Sequence, residues 1–584
     1  MNEVWNLDPI YKGFDDSAYA ADMERMKQLV ADFTAFTAEL PKLAPIEGLR
    51  RGIAMQEKLA ELSTLYSYAS LRASTDAKDP EPGSYMGRVM SIYSGTAAPM
   101  AAFNEWVVKI PNLMELVKGD ELLREYEFLF AKKAEAADYQ LPGTAEAVVA
   151  KMSMSGGDAW SELQGYLTST VPVHYRGEVT NLSAIRNLAY DPDPQVRKDA
   201  YEAELACYDS IKEPVAHALN AIKLETISEC QLRGYGSPLE RTLKHSDMKK
   251  ETLDAMLSAM DEYSPKFWQY LKAKAKALGH ENGLPWYDLF APMGASSTTF
   301  TTEDAKAYLL KQFATFDDEL TEMVRTAFDD AWIDFFPRSG KRGGAFCAGV
   351  EKIGESRILT NFDGMFTDVV TLAHELGHAF HNQCIRDHRP LNQDYSMPVA
   401  ETASTFNECV VMNAAIASAA DKDEKIALIE SQLQDATQII CDIYSRYRFE
   451  TMVFANREQQ FMDADALCAL MTKAQEQSYG DGLDPACRHP YMWICKSHYY
   501  GPTFYNFPYA FGGLFARGLY AQYEKEGAAF VPKYKKLLYT TPVATAEDTA
   551  KVAGIDLTDK DFWRSALQTV AQQIDLFCEL VEEK

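Results

Sequence analysis

Thr371-Leu372-Ala373-His374-Glu375-Leu376-Gly377-His378-Ala379-Phe380 carries His-Glu-x-x-His within an apolar stretch of helical spacing. Val369, Val370, Leu372, Ala373, Leu376, Ala379 and Phe380 supply the apolar flanks of a buried helix. Residues four apart share a helical face, so His374 and His378 present two imidazoles to one metal ion. Both rings then lie in the interior, where an unpaired polar ring is costly unless it is bonded or metallated. Glu375 stands between them, placed to take a proton from an attacking water. Two ligands, a base and a Lewis acid are the equipment of a zinc peptidase. The competing reading is a surface helix with two unrelated histidines, and the motif arises by chance in roughly one such chain in a hundred.

A catalytic zinc takes three protein ligands and keeps one position open. Ser396-Met397-Pro398-Val399-Ala400-Glu401-Thr402-Ala403-Ser404-Thr405-Phe406-Asn407-Glu408 reads as the start of a second helix, with Ser396 as N-cap and Pro398 in the first turn. Glu401 and Glu408 fall on one face, and carboxylates on the buried side of an apolar helix need a positive partner. Glu401 is the expected third ligand. Glu408 is the expected acceptor for a ligand imidazole N–H, the alternative being a solvated surface charge. An extended His-Glu-x-x-His-x-x-Gly-x-x-His motif is excluded, because those last two positions hold His381 and Cys384. His381 is expected to pack or hydrogen-bond beside the site. Cys384 lies about 15 Å along a helix from His374, too far to share its metal.

Upstream stand Gly340-Lys341-Arg342-Gly343-Gly344-Ala345-Phe346-Cys347 and Ser356-Arg357-Ile358-Leu359-Thr360-Asn361-Phe362-Asp363-Gly364. Neither matches a phosphate loop or a dinucleotide fingerprint. Both read as short strands with turn punctuation. A short sheet before the metal helix offers an extended peptide an edge, with Gly343, Gly344 and Ala345 as the expected contact; an ordinary hairpin fits equally well. Downstream, His498-Tyr499-Tyr500-Gly501-Pro502-Thr503-Phe504-Tyr505-Asn506-Phe507-Pro508-Tyr509-Ala510-Phe511-Gly512-Gly513 is aromatic and carries phenols and an imidazole. Most aromatic runs are core, but Tyr O–H and His N–H also suit a developing oxyanion. Tyr505 and Tyr509 share a helical face only if the helix begins ahead of Pro508.

In content and order these blocks resemble the oligoendopeptidase F branch of the thimet-oligopeptidase-like zinc metallopeptidases. The stretch 361–381 is especially similar, and the resemblance spans residues 190–570. It implies one Zn2+ per chain held by His374, His378 and Glu401, with Glu375 as base and proton shuttle. It implies that His498, Tyr505 and Tyr509 contact the substrate or stabilise the transition state. It further implies a mainly α fold: two helical lobes flanking a deep substrate channel, with a small β-sheet next to the metal helix. Phe346 and Phe507 depart from the tyrosines of many relatives, so any role of those hydroxyls is absent. The expected activity is endopeptidase cleavage of internal bonds in short unstructured oligopeptides. The rivals are a zinc exopeptidase trimming peptide ends and an inactive peptide-binding helical protein; the intact Glu375 argues against the latter.

The 584 residues are 47% hydrophobic, enough for a large core. A net charge of −27 argues against nucleic acid and anionic membrane surfaces as partners. The sequence Met1–Asp8 has neither the basic region nor the apolar run of a signal peptide, and no apolar stretch approaches a membrane span. Ten scattered cysteines fit free thiols in a reducing, cytoplasmic setting. Helical spacing runs over 16–43, 46–75 and 250–278. Ser246-x-x-Lys249 and Asp193-Pro194 read as helix starts, and Tyr166–Gly177 as β-rich. With neither low-complexity linker nor repeat, an N-terminal helical region (1–190) and a catalytic region (191–584) are expected to pack as one body.

Overall fold

Helix accounts for most of the chain, as the apolar spacing predicts, and the sheets are small. The structure, a computed structural model, describes residues 3–294 and 298–582. Met1 and Asn2 of the N-terminal reading lie outside the described residues.

Local signals explain several helix starts. Asp16 accepts from Ala18 N at 2.9 Å and starts Ser17–Glu39. Asp193 accepts from Gln195 N with Pro194 in the first turn, as predicted. The 46–75 helix divides into Pro45–Leu62 and Thr64–Thr75. At Ser63 the bonds tighten to i→i+3, Ser63 N to Ala60 O and Tyr66 N to Ser63 O.

Two expectations need correction. Ser246 ends the helix Pro238–His245 and starts nothing. The next helix, Lys250–Ala277, takes its cap from Glu547, which accepts from Lys249 N at 2.8 Å and from Thr252 Oγ1 at 2.5 Å. The β-rich reading of 166–177 is right only at its end. Helix Gly157–Thr170 runs through Tyr166, and the strands are Val173–Tyr175 and Glu178–Thr180. Their turn uses positive φ at Arg176 (49°) and Gly177 (88°), which suits the right-handed twist of a hairpin.

A second small sheet supports the metal helix. Strands β1 (Ile333–Asp334), β2 (Phe346–Val350) and β3 (Glu355–Leu359) lie in the order β1-β3-β2, with β1 parallel and β2 antiparallel to β3. Among the described residues β2 pairs only with β3, so its outer edge is open. Helix α1 (Phe366–Ile385) follows and buries Val369, Leu372, Ala373, Leu376, Ala379 and Phe380. Asn382 ties it to the sheet, donating from Nδ2 to Ser356 Oγ at 3.1 Å.

Helix α2 (Thr402–Ser418) packs on α1 at Gly377, where an added Cβ would lie 2.4 Å from Ala403 O and 2.5 Å from Ser404 Cα. Only glycine permits that approach. Helices α3 (Lys422–Thr437) and α4 (Phe507–Glu526) complete the surround.

Three apolar cores form. One unites Trp5–Phe130 with Val350 and Leu359; a second joins Val171–Ile222 to Phe449–Tyr500; the largest spans Ile227–Phe577 and includes α1. The expected division at 190/191 falls inside the second core, where Ile185 and Ala200 share one cluster. The N-terminal part is bound tightly to the rest. Arg389 forks onto Glu57 at 2.6 and 2.9 Å, and buried Arg357 donates to Asn6 O at 2.8 Å. No described helix is long and apolar enough to cross a membrane.

Candidate metal centre

One turn of α1 sets His374 Nε2 and His378 Nε2 3.2 Å apart. Glu401 Oε2 lies 3.3 Å from the first and 3.4 Å from the second. The three donor atoms thus form a nearly equilateral triangle. Tetrahedral zinc with N/O ligands at about 2.0–2.1 Å requires ligand separations of about 3.3 Å. The donor set and its spacing therefore fit that ion, and the expected trio is brought together.

Glu401 reaches the triangle because the second helix is broken. Met397–Ala400 is a single turn, Glu401 ends it at φ −90° and ψ 11°, and α2 begins at Thr402. Ser396 does precede that turn, with Pro398 inside it, but its side chain makes no cap bond. Ser404 Oγ donates to Glu401 Oε2 at 2.7 Å, and Asn407 Nδ2 donates to Ala373 O at 3.1 Å, so α2 is pinned to both the ligand and α1.

Glu408 accepts from His374 Nδ1 at 2.5 Å, which leaves Nε2 facing the triangle. Glu408 meets this imidazole while its side chain stays 30% exposed. Electrostatics agree. Burial opposes charge on His374, but hydrogen bonds to Glu401 and Glu408 outweigh it and push its pKa up to about 10. Burial also raises the Glu401 carboxyl, yet the two imidazoles win and hold it far below the usual carboxylate range. Both shifts have one cause, the attraction between the imidazoles and the carboxylates of the cluster.

Glu375 is 6% exposed and has no ion-pair partner among the described residues. Burial pushes its carboxyl up, against the pull of His374 and His378. His381 is wholly buried, stacks on Tyr395 at 4.0 Å and shares a hydrogen bond of 2.8 Å with Thr541 Oγ1. It packs beside the site, as expected, and is not in the donor triangle.

His498, Tyr505 and Tyr509 form one aromatic cluster. Ring centroids are 5.6 Å apart for His498–Tyr505, 5.9 Å for His498–Tyr509 and 5.4 Å for Tyr505–Tyr509. Helix α4 starts at Phe507, so only Tyr509 is helical and Tyr505 lies on the loop before it. Gly512, one turn beyond Tyr509, sits against the ligand, with its would-be Cβ 3.2 Å from Glu401 Cβ. Burial raises the Tyr509 phenol, and Tyr505 and the Glu401 charge add to this, so it stays a donor. Burial, with Arg446 and Lys496 nearby, keeps His498 neutral. Phe507 is fully buried in the largest core, which explains an apolar residue there.

The loop carrying Tyr505 hangs on a buried carboxylate. Glu450 accepts from Lys223 Nζ at 2.7 Å, Phe504 N at 3.1 Å and Asn506 Nδ2 at 2.8 Å. Phe504 is held at φ 52°, an uncommon conformation for an aromatic residue.

Gly343, Gly344 and Ala345 precede β2 and are not in it. Asn361 Nδ2 binds Arg342 O at 3.0 Å and Gly344 O at 2.7 Å, fixing this segment as a bend. The strand itself begins at Phe346, and the charge of Glu375 is felt at Cys347, so β2 passes beside the base. Reading the sequence did not find Gly377, Ser404, Asn407, Lys223 or Glu450. A glycine within a helical pattern was the available signal for the first. Nothing local marks Glu450.

His-Glu-x-x-His on one helix, a carboxylate brought beside it from the break before the next helix and a mainly α-helical body are the features of a metallopeptidase. The sequence profile of Peptidase family M3 matches residues 187–569, more than half the chain, and the protein belongs to that family. Oligopeptidase PepF of Bacillus subtilis is 23% identical to it, over 99% of this chain and 87% of that one. An oligoendopeptidase F homolog of Lactococcus lactis is 25% identical, over 99% and 97%. Among solved structures, a chain from Chlamydophila abortus, assigned only provisionally as a peptidase, superposes with TM-score 0.88 at 19% identity, covering 99% of this chain and 98% of that one. Oligoendopeptidase-F from Enterococcus faecium superposes with TM-score 0.71 at 16% identity, over 97% and 99%. The motif resemblance and the mainly α fold are both borne out.

Proposed function

We propose that this protein is a zinc-dependent endopeptidase that cuts internal bonds of short, unstructured peptides, working in the cytoplasm with one Zn2+ per chain. The observation that carries it is the donor triangle of 3.2–3.4 Å. His374, His378 and Glu401 would hold the ion, with Glu408 orienting His374. Zinc, when bound, supplies Lewis acidity and lowers the pKa of a coordinated water to about 7. Glu375 takes a proton from the attacking water and later hands it to the leaving amine. Tyr505, Tyr509 and neutral His498 donate to the oxyanion that develops on the scissile carbonyl. The open edge of β2 pairs with the extended substrate, and a channel between the helical lobes excludes folded proteins. Names of relatives such as oligopeptidase support small peptide substrates. Ten free cysteines support a reducing compartment.

The test is mass spectrometry of products from a peptide mixture with blocked ends, before and after chelation and zinc return. Internal cleavage that a chelator stops and zinc restores is expected. Cleavage only of free-ended peptides would make it an exopeptidase, and none at all a binding protein.

A further inference from the structure

A cavity of about 620 Å³ opens beside His374 and Glu408, and the mechanism above makes no use of it. Its wall follows α1 away from the donor triangle: His374, then Val370 one turn back, then Phe366 two turns back. Eight residues of helix give it a depth of about 12 Å. Helix α2 keeps step, with Glu408 at the near end and Met412 one turn further. Leu428 of α3 faces the same apolar end. Across the cavity stand Tyr190 and Phe290, ring centroids 4.8 Å apart. Glu430, Gln434, Asp435 and Arg517 also line the cavity, while Phe366, Met412 and Leu428 give it an apolar end.

Two exposed apolar residues gather at this one cavity: Tyr190 is 59% exposed and Met365 48%. Large apolar side chains left to solvent around a concavity mark a binding surface. A peptide presents polar main chain at the reacting bond and projects each side chain away from it. The apolar end suits such a side chain. A charged head pushed in as far as Phe366, Met412 and Leu428 would lose water to an apolar surround. A small side chain would leave the depth unfilled.

We propose that this cavity receives the side chain of one residue adjoining the cleaved bond, and that it selects a bulky apolar or aromatic residue. This rests on the peptidase reading above.

The experiment uses zinc-loaded full-length protein and end-blocked peptides carrying Phe or Gly at each residue flanking the cut. In the wild type, kcat/KM should favour Phe over Gly by about 10- to 100-fold at one of the two positions, as expected for burying one aromatic side chain. Ala427→Trp, which fills the cavity from α3, should cut that ratio at least fivefold. Ser431→Trp, one turn along, is the second variant. Because the ratio is the readout, a general loss of activity cancels. No Phe preference at either position in the wild type would overturn the proposal with no variant needed. So would a preference that survives in both variants. Absence of any cleavage by the wild type would overturn the peptidase reading itself, a result distinct from cleavage without preference.

Discussion

Gly377→Ala tests whether the spacing of two helices sets metal affinity. The added methyl would lie 2.4 Å from Ala403 O and 2.5 Å from Ser404 Cα, both backbone atoms that cannot rotate aside. Ordinary contact begins at 3.4 Å, so α1 and α2 must separate by about 1 Å locally. Overpacking of this kind costs about 1–3 kcal/mol. The strain falls where it matters, because Ser404 holds Glu401, and His374 and His378 stand only three residues before and one residue after Gly377 on α1. A shift of that size breaks the 2.5 Å bond between His374 and Glu408 and opens the donor triangle. Loss of such a supporting contact typically weakens metal binding about 10- to 100-fold. Competition with a calibrated chelator measures the affinity, and urea unfolding of the metal-free protein measures the strain. Wild-type affinity within twofold, together with an unchanged unfolding midpoint, would refute the argument that this glycine is required by packing.

Glu375→Gln should keep its zinc and lose nearly all hydrolysis, since an amide cannot accept the proton; metal content and turnover on one sample decide, and near-normal turnover removes Glu375 from the mechanism. Glu401→Ala should lose zinc to a chelator far more readily than Glu408→Ala, whose loss is about 10- to 100-fold; the reverse order would mean the two carboxylates are assigned the wrong way round. A cleavable sequence should be cut rapidly as a free peptide and hardly at all inside a rigid domain, because pairing with β2 needs an extended backbone; equal rates would leave an open cleft as the better description. Asp435 lines the cavity beside Glu408, and burial, then the Glu408 charge, pushes its pKa up to about 6. Its folded value is above the unfolded one, so its ionised form opposes folding above pH 6, and that penalty fades as pH falls towards 4. Asp435→Asn should thus raise the urea midpoint at pH 8 and approach wild type at pH 4, and a gain independent of pH would exclude this linkage.

The residues of the candidate site are more legible in the sequence than their supports. His374, Glu375 and His378 declare themselves because helical period puts them on one face, and the apolar flanks say that the face is buried. Glu401 and Glu408 follow from a second apolar helix carrying charge. What periodicity cannot show is the break at Glu401, which lets one carboxylate turn to the metal while the other meets an imidazole a full two turns on. The misread cap at Ser246 has the same origin, since the true cap, Glu547, arrives from a distant part of the chain. The β-branched and aromatic residues of 166–170 favour strand locally, and packing of that helix in the second core overrides them. Gly343–Ala345 adjoin a true strand, and it is the Asn361 side chain, 17 residues beyond Gly344, that holds them as a bend.

The second core has a consequence for how the protein is made. Val215, Leu219 and Ile222 are buried against a group that includes Phe449, Val453 and Trp493. On the ribosome those partners emerge roughly 230 residues later, which at about 5–20 residues per second is a wait of some ten to fifty seconds. Until then the helix of Val215, Leu219 and Ile222 has only its upstream partners, Val171, Ile185 and Tyr208 among them, and its face toward Phe449, Val453 and Trp493 stays open. A chain cut short before Phe449 lacks part of this core and leaves that apolar face exposed.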